Sequence, residues 1–155
     1  MKRSGSSDKS AAREMIIFLI GEQEFCIDVM SVRELRAWSP ATPLAHAPHF
    51  VRGVINLRGM VLPIIDLAVQ LGLESTEPTS RHAILVVEIG QNTVGLLVEG
   101  VSEILTIQSE QIQPTPNVAS HMSKEFLSGL VTIDARIISL VEPRALIPDS
   151  EQFAA

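Results

Sequence analysis

Apolar residues come in short runs along this chain, and polar turns separate them. MIIFLI at Met15–Ile20 meets a turn holding Gly21. AILVVEI at Ala83–Ile89 meets Gly90-Gln91-Asn92. Such runs are too short for core helices and are rich in β-branched residues, so each predicts a strand. The longest stretch, GVINLRGMVLPIIDL from Gly53 to Leu67, breaks only at a turn carrying one arginine, Arg58. Gly129 to Pro143, GLVTIDARIISLVEP, has the same outline.

The likeness extends over most of the chain. With Ile16–Leu35 set over Leu85–Ile104, an offset of 69, apolar falls on apolar at nine of twenty positions, Gly21 meets Gly90 and Glu34 meets Glu103. With Gly53–Leu71 over Gly129–Ile147, an offset of 76, nine of nineteen match. At this composition chance gives roughly eight matches in both windows together, so the chain reads as an internal duplication.

Each half then predicts five strands. In the first they are Met15–Ile20, Glu24–Asp28, Val32–Ala37, Val51–Leu57 and Met60–Ile65; in the second, Ala83–Ile89, Thr93–Val98, Val101–Ile107, Leu127–Ile133 and Arg136–Val141. A Pro-rich crossing precedes the last two strands of each half. Short helical turns close the halves: Leu67–Leu71, capped by Asp66 and stopped by Gly72, and Arg144–Ile147 behind Pro143. The expected fold is mainly β, with two five-stranded SH3-like barrels around a shared hydrophobic core. One domain spans 14–147, in halves of about 14–73 and 81–147, between tails at 1–13 and 148–155. A groove between the halves is the default binding site.

Composition sharpens this picture. Hydrophobic residues make up 46% of the 155 while aromatics are only 4% and tyrosine is absent, so aliphatic side chains must fill the core. The net charge of −6 conceals a tail of +3 over residues 1–13 and a body of −9. An acidic body repels phosphate backbones, and nucleic-acid binding is not expected. The scattered tail charges predict a solvated, disordered segment rather than a membrane anchor. Cys26, the one cysteine, can form no internal disulfide and reads as a core residue. No apolar leader or span is present, so a cytoplasmic location is expected.

Chemistry is sparse. No phosphate-binding, zinc-protease or nucleophile-elbow motif occurs. His46-Ala-Pro-His49 is the one suggestive metal pair; Pro48 breaks the helix that would aim both rings, and nothing completes a site. His82 and His121 stand alone. No metal, cofactor or catalytic group is assigned, and no enzymatic activity is expected. Arg58 differs, because the equivalent turn holds Asp134 and the turn therefore does not demand an arginine. On spacing alone it is either a solvated turn residue or a charged anchor beside apolar surface; the contrast with Asp134 favours the anchor, with Glu34 as its internal partner.

The segments FCIDVMSVREL, HAPHFVRGVINLRGMVLPIIDL, TVGLLVEGVSEIL, QIQPTPN and GLVTIDARIISLVEP together resemble the CheW family of chemotaxis adaptors, from about Met15 to Ile147. The resemblance implies a non-enzymatic scaffold of two-component signalling. Its partners would be the cytoplasmic hairpin tip of a chemoreceptor and the regulatory domain of a CheA-type histidine kinase, met in membrane-associated arrays without membrane insertion. By motif, Val32, Glu34, Gly53, Arg58 and Gly59 fall at family coupling positions. Gly95 and Ile104 fall in the kinase-supporting segment, and Val118 stands where many members carry a contact aromatic. Other readings are an adaptor of a different receptor–kinase system, such as surface motility, and a small β-barrel hydrolase or metal protein using His46 and His49.

Overall fold

The computed structural model describes residues 12–75, 77–114 and 126–146. The first half supplies β1 (Ala12–Ile20), β2 (Gln23–Asp28), β3 (Val32–Ala37), β4 (Val51–Leu57), β5 (Met60–Asp66) and a one-turn helix α1 (Leu67–Gln70). The second supplies β6 (Ala83–Ile89), β7 (Asn92–Val98), β8 (Gly100–Gln108), β9 (Ile112–Gln113), β10 (Leu127–Ile133), β11 (Arg136–Val141) and a 3₁₀ turn at Pro143–Leu146. β1 begins three residues before the run MIIFLI. Ala12 and Arg13, expected in the tail, pair with Gln108 and Ile107.

Two curled sheets result, in the mainly-β arrangement expected. The larger runs β8-β1-β2-β11-β10-β9 and the smaller β3-β6-β7-β5-β4. Replacing each strand by its repeat partner turns one order into the other. The place of β9 in the smaller sheet is taken by Thr42, which bridges Val54. Yet each sheet draws on both halves, and the sheets do not divide the chain at 74–80. The hairpin β1–β2 pairs with β8 and β11 of the second half, and β6–β7 pairs with β3 and β5 of the first.

Connection length explains the exchange. β8 lies antiparallel to β1 on the side away from β2, and so runs parallel to β2. For β3 to occupy that place beside its own hairpin, the chain after Asp28 would have to return the full length of a strand. Only Val29–Ser31 joins β2 to β3. Three residues reach about 10 Å, while a parallel crossover needs a dozen or so. β3 therefore leaves for the other sheet.

Burial on both strand faces accounts for the continuous apolar runs. Ile16, Phe18 and Ile20 point into a central cluster with Phe25, Ile27, Ile65, Leu67, Leu85, Val87, Leu96 and Val98, drawn from both sheets. Met15, Ile17 and Cys26 point the other way, into the curl of the larger sheet beside Ile107, Val131 and Ile138. Ile55, Leu57, Leu62, Ile64, Ile84, Val86 and Leu97 fill the curl of the smaller sheet. Cys26 is a core residue as expected, and burial pushes its thiol pKa up to about 12.

Asp66 caps α1, accepting from the Val69 amide, and also takes the Ser75 hydroxyl at 2.6 Å. Gly72, with φ of 80°, ends the turn as the sequence suggests. The side-chain amide of Gln70 donates to the Leu146 carbonyl, tying the end of one half to the end of the other.

Candidate protein-binding site

β3 alternates between half-buried and exposed positions, and Glu34 takes a half-buried one beside a register shift between Val32 and Glu34. The β4–β5 hairpin turns at Arg58-Gly59. Both residues have positive φ, 51° and 87°, the geometry of tight turns that match the twist of their strands. The Asn56 side chain fastens the turn by accepting from the Gly59 amide at 2.8 Å. Arg58 Nη2 then donates to Glu34 Oε2 at 2.5 Å, while Arg36 Nη1 lies 3.6 Å from Glu34 Oε1. The ion pair expected between Arg58 and Glu34 thus forms. β3 and β4 are the two edges of the smaller sheet, so the pair spans its opening.

The hydrogen bond from Arg58 holds the Glu34 carboxyl below the usual carboxylate range, and the same bond raises the guanidinium pKa. The Arg58 side chain is 68% exposed. Such a pair contributes little stability in water and leaves a charged group available to a partner. Apolar neighbours along the chain are exposed too: Leu35 next to Glu34, with Met60 and Val61 just beyond the turn, Val61 at 67%.

The remaining positions divide by role. Glu34, Val86, Gly95, Ile64 and Gly53 are successive partners in one row across all five strands of the smaller sheet. A Cβ on Gly53 would lie 2.3 Å from the Thr42 carbonyl oxygen. One on Gly95 would lie 2.7 and 2.8 Å from Ile84 and Ile64. Both glycines are buried where neighbouring atoms leave no room for a side chain. Gly59 meets nothing within 4 Å and is held by its backbone angle alone. Val32 packs against the central cluster. Ile104 sits on β8 in the other sheet, 56% exposed. Val118 and His121 lie outside the described residues.

The larger sheet carries a counterpart that sequence reasoning does not single out. Arg136 Nη2 donates to Glu24 at 2.7 Å and to Glu103, the repeat partner of Glu34, at 2.9 Å. Ile137 beside it is 64% exposed and is the repeat partner of Val61. The available signal was a mismatch, since Arg136 falls on the apolar Met60 at an offset of 76. Between the sheets the shared cluster fills the seam, and a depression of about 210 Å³ lies beside the β2–β3 connection. Met30, Arg33, Glu88, Glu142 and Arg144 line it.

The histidines hold other places. His49 packs edge-on against Phe50, and His82 is buried in a turn where its Nδ1 accepts the Thr79 amide at 3.0 Å. Among the described residues no group of three His, Cys, Asp or Glu is placed to hold a metal ion, and no helix is long and apolar enough to cross a membrane.

Comparison with known proteins agrees with this architecture. The CheW-like domain family matches residues 14–151. A probable chemotaxis protein CheW of Rhizobium etli is 52% identical over 143 residues, 92% of each chain. The chemotaxis protein CheW of Rhizobium meliloti is 50% identical over 146 residues, 94% of each. Among solved structures, the scaffolding protein TtCheW of Thermoanaerobacter tengcongensis superposes with a TM-score of 0.80 at 28% identity, covering 86% of this chain and 91% of that one. With its duplicated strands, its two sheets and nearly its whole length matched, the chain belongs to the CheW-like family of chemotaxis scaffolds.

Proposed function

We propose that this chain is a non-enzymatic adaptor that couples the cytoplasmic tips of chemoreceptors to a CheA-type histidine kinase. It would work in the cytoplasm, at membrane-associated receptor arrays. The observation that carries the reading is the exposed Arg58–Glu34 pair, with Leu35, Met60 and Val61 exposed beside it along the chain, in a chain whose relatives are named for chemotaxis. A receptor tip is a helical hairpin, and aliphatic surface with a charged anchor suits the side of a helix. The anchor fixes register and partner choice more than affinity.

Glu34, Arg58 and the Gly59 turn form the contact in this reading. Val32 and Gly53 shape it from beneath, while Gly95, Ile104 and Val118 belong to the kinase-facing side. Arrays repeat each contact many times, so modest individual affinities suffice.

The test is receptor-dependent kinase activity reconstituted with Arg58→Glu. The variant should remain folded, with its unfolding midpoint close to wild type, and should lose most of the receptor's control over the kinase. Wild-type control by this variant would reject the reading.

A further inference from the structure

The exchange of hairpins between the sheets has an intermolecular form. All strand pairing of β1–β2 is with β8 and β11, and the three-residue connection that follows keeps it from pairing with its own β3. The hairpin therefore always needs a second half to complete. That half is normally further along the same chain, but the half of a second copy offers the same edges. From the hairpin, Met15, Ile17 and Cys26 enter the curl of the larger sheet, while Ile16, Phe18, Ile20, Phe25 and Ile27 enter the central cluster. Every one of these contacts is reproduced if the hairpin comes from another molecule.

Only the connection differs between the two forms. Val29–Ser31 buries none of its residues, and Met30 is 90% exposed. Its hydrogen bonds stay within the connection, the Asp28 side chain on the Met30 amide at 2.8 Å and the Val32 amide on the Val29 carbonyl, and Val29 alone packs against the central cluster. When closed and exchanged forms share all other contacts, the connection and the protein concentration decide between them. The opposite crossing, from β7 to β8, is fastened across elements: Glu99 donates its amide to the Leu19 carbonyl, and its carboxylate accepts the Gly21 amide at 2.9 Å. The β2–β3 connection is the weaker joint.

We infer that β1–β2 is an exchangeable element, and that the partner it fits is a second copy of this chain, joined as a dimer with reciprocally swapped hairpins. The inference stands independently of the proposed adaptor role.

Glu14 and Thr106 face each other across β1 and β8, both exposed, and supply the test. The full chain carrying Glu14→Cys and Thr106→Cys, with Cys26→Ala, is refolded from denaturant at concentrations from about 1 μM to about 1 mM, oxidised and separated by size. The dimer fraction should rise at least about tenfold across that range. In the dimer the disulfide should join two chains, giving a covalent dimer on a non-reducing gel; in the monomer it should close within one. A monomer at every concentration, or a dimer whose disulfides are all within single chains, overturns the inference. Deleting Ser31 shortens the connection and should make the dimer the main species. A folded, monomeric deletion variant would equally overturn it, and if that variant does not fold the cysteine pair decides alone.

Discussion

Glu34 and Glu103 occupy the same place in the two sheets, yet they are held differently. Glu34 takes a guanidinium from the tip of a turn, where Arg58 is the outermost residue of its hairpin. Glu103 takes one from the first residue of β11, and Arg136 shares itself with Glu24 on β2. The second arrangement ties three strands together and its arginine is half-buried; the first ties two edges and leaves its arginine mostly in water. The turns differ to match. In the second hairpin only Asp134 takes positive φ, 54°, and aspartate tolerates that region, whereas arginine has no such preference. Arg136 is placed within the sheet and bridges its strands, whereas Arg58 keeps most of its charge in solvent.

The largest effect should come from the glycines that let each sheet curl. Gly53→Ala places a methyl against the Thr42 carbonyl at a positive φ, and should cost about 3 kcal/mol in urea unfolding. Gly129→Ala, whose Cβ would stand 2.8 Å from the Gln113 carbonyl, should cost about 1–2 kcal/mol. Equal losses would remove the distinction between the two openings.

Next, Arg136→Met should lower the thermal midpoint clearly, because Glu24 and Glu103 are left facing each other without a cation. Arg58→Asn should leave the midpoint unchanged or raise it, since asparagine suits a left-handed turn position followed by glycine. The same Arg58→Asn change should weaken receptor-dependent kinase control by roughly threefold to tenfold. A large drop in midpoint for Arg58→Asn would show that this arginine is structural after all.

The acid dependence of stability carries a smaller effect. The hydrogen bond from Arg136 lowers the Glu24 pKa from the ordinary 4.5. A depressed carboxylate contributes stability that is complete above the unfolded value and is lost as pH falls through the folded one. Wild type should therefore lose more of its urea midpoint below about pH 4.5 than Arg136→Met does. Parallel curves would mean that the Arg136 pair adds nothing to the fold.

The central strands were legible because both of their faces are buried, whereas β3 and β8 bury little and were read from their β-branched and apolar alternation. Runs such as Met15–Ile20 serve two clusters at once, and few polar positions interrupt them. The repeat was legible for the same reason, since equivalent positions enter equivalent clusters. Hairpin exchange was not legible in the apolar pattern, because duplication makes Leu35 and Ile104 equally good neighbours for β1. The information lay in the three residues after Asp28, a matter of reach rather than of residue type. At the site, the Arg58–Glu34 pair could be read from the contrast with Asp134. Arg136 escaped notice because its two carboxylates lie far away in sequence, on β2 and β8, and only the fold gathers them.

The shared central cluster has a mechanical consequence. Phe18 from one sheet and Leu96 from the other belong to the same packed interior, so the two sheets share one core. Close-packed interiors are nearly incompressible. A displacement at the Arg58 corner therefore strains packing that both sheets share, because a close-packed interior has little room to absorb it.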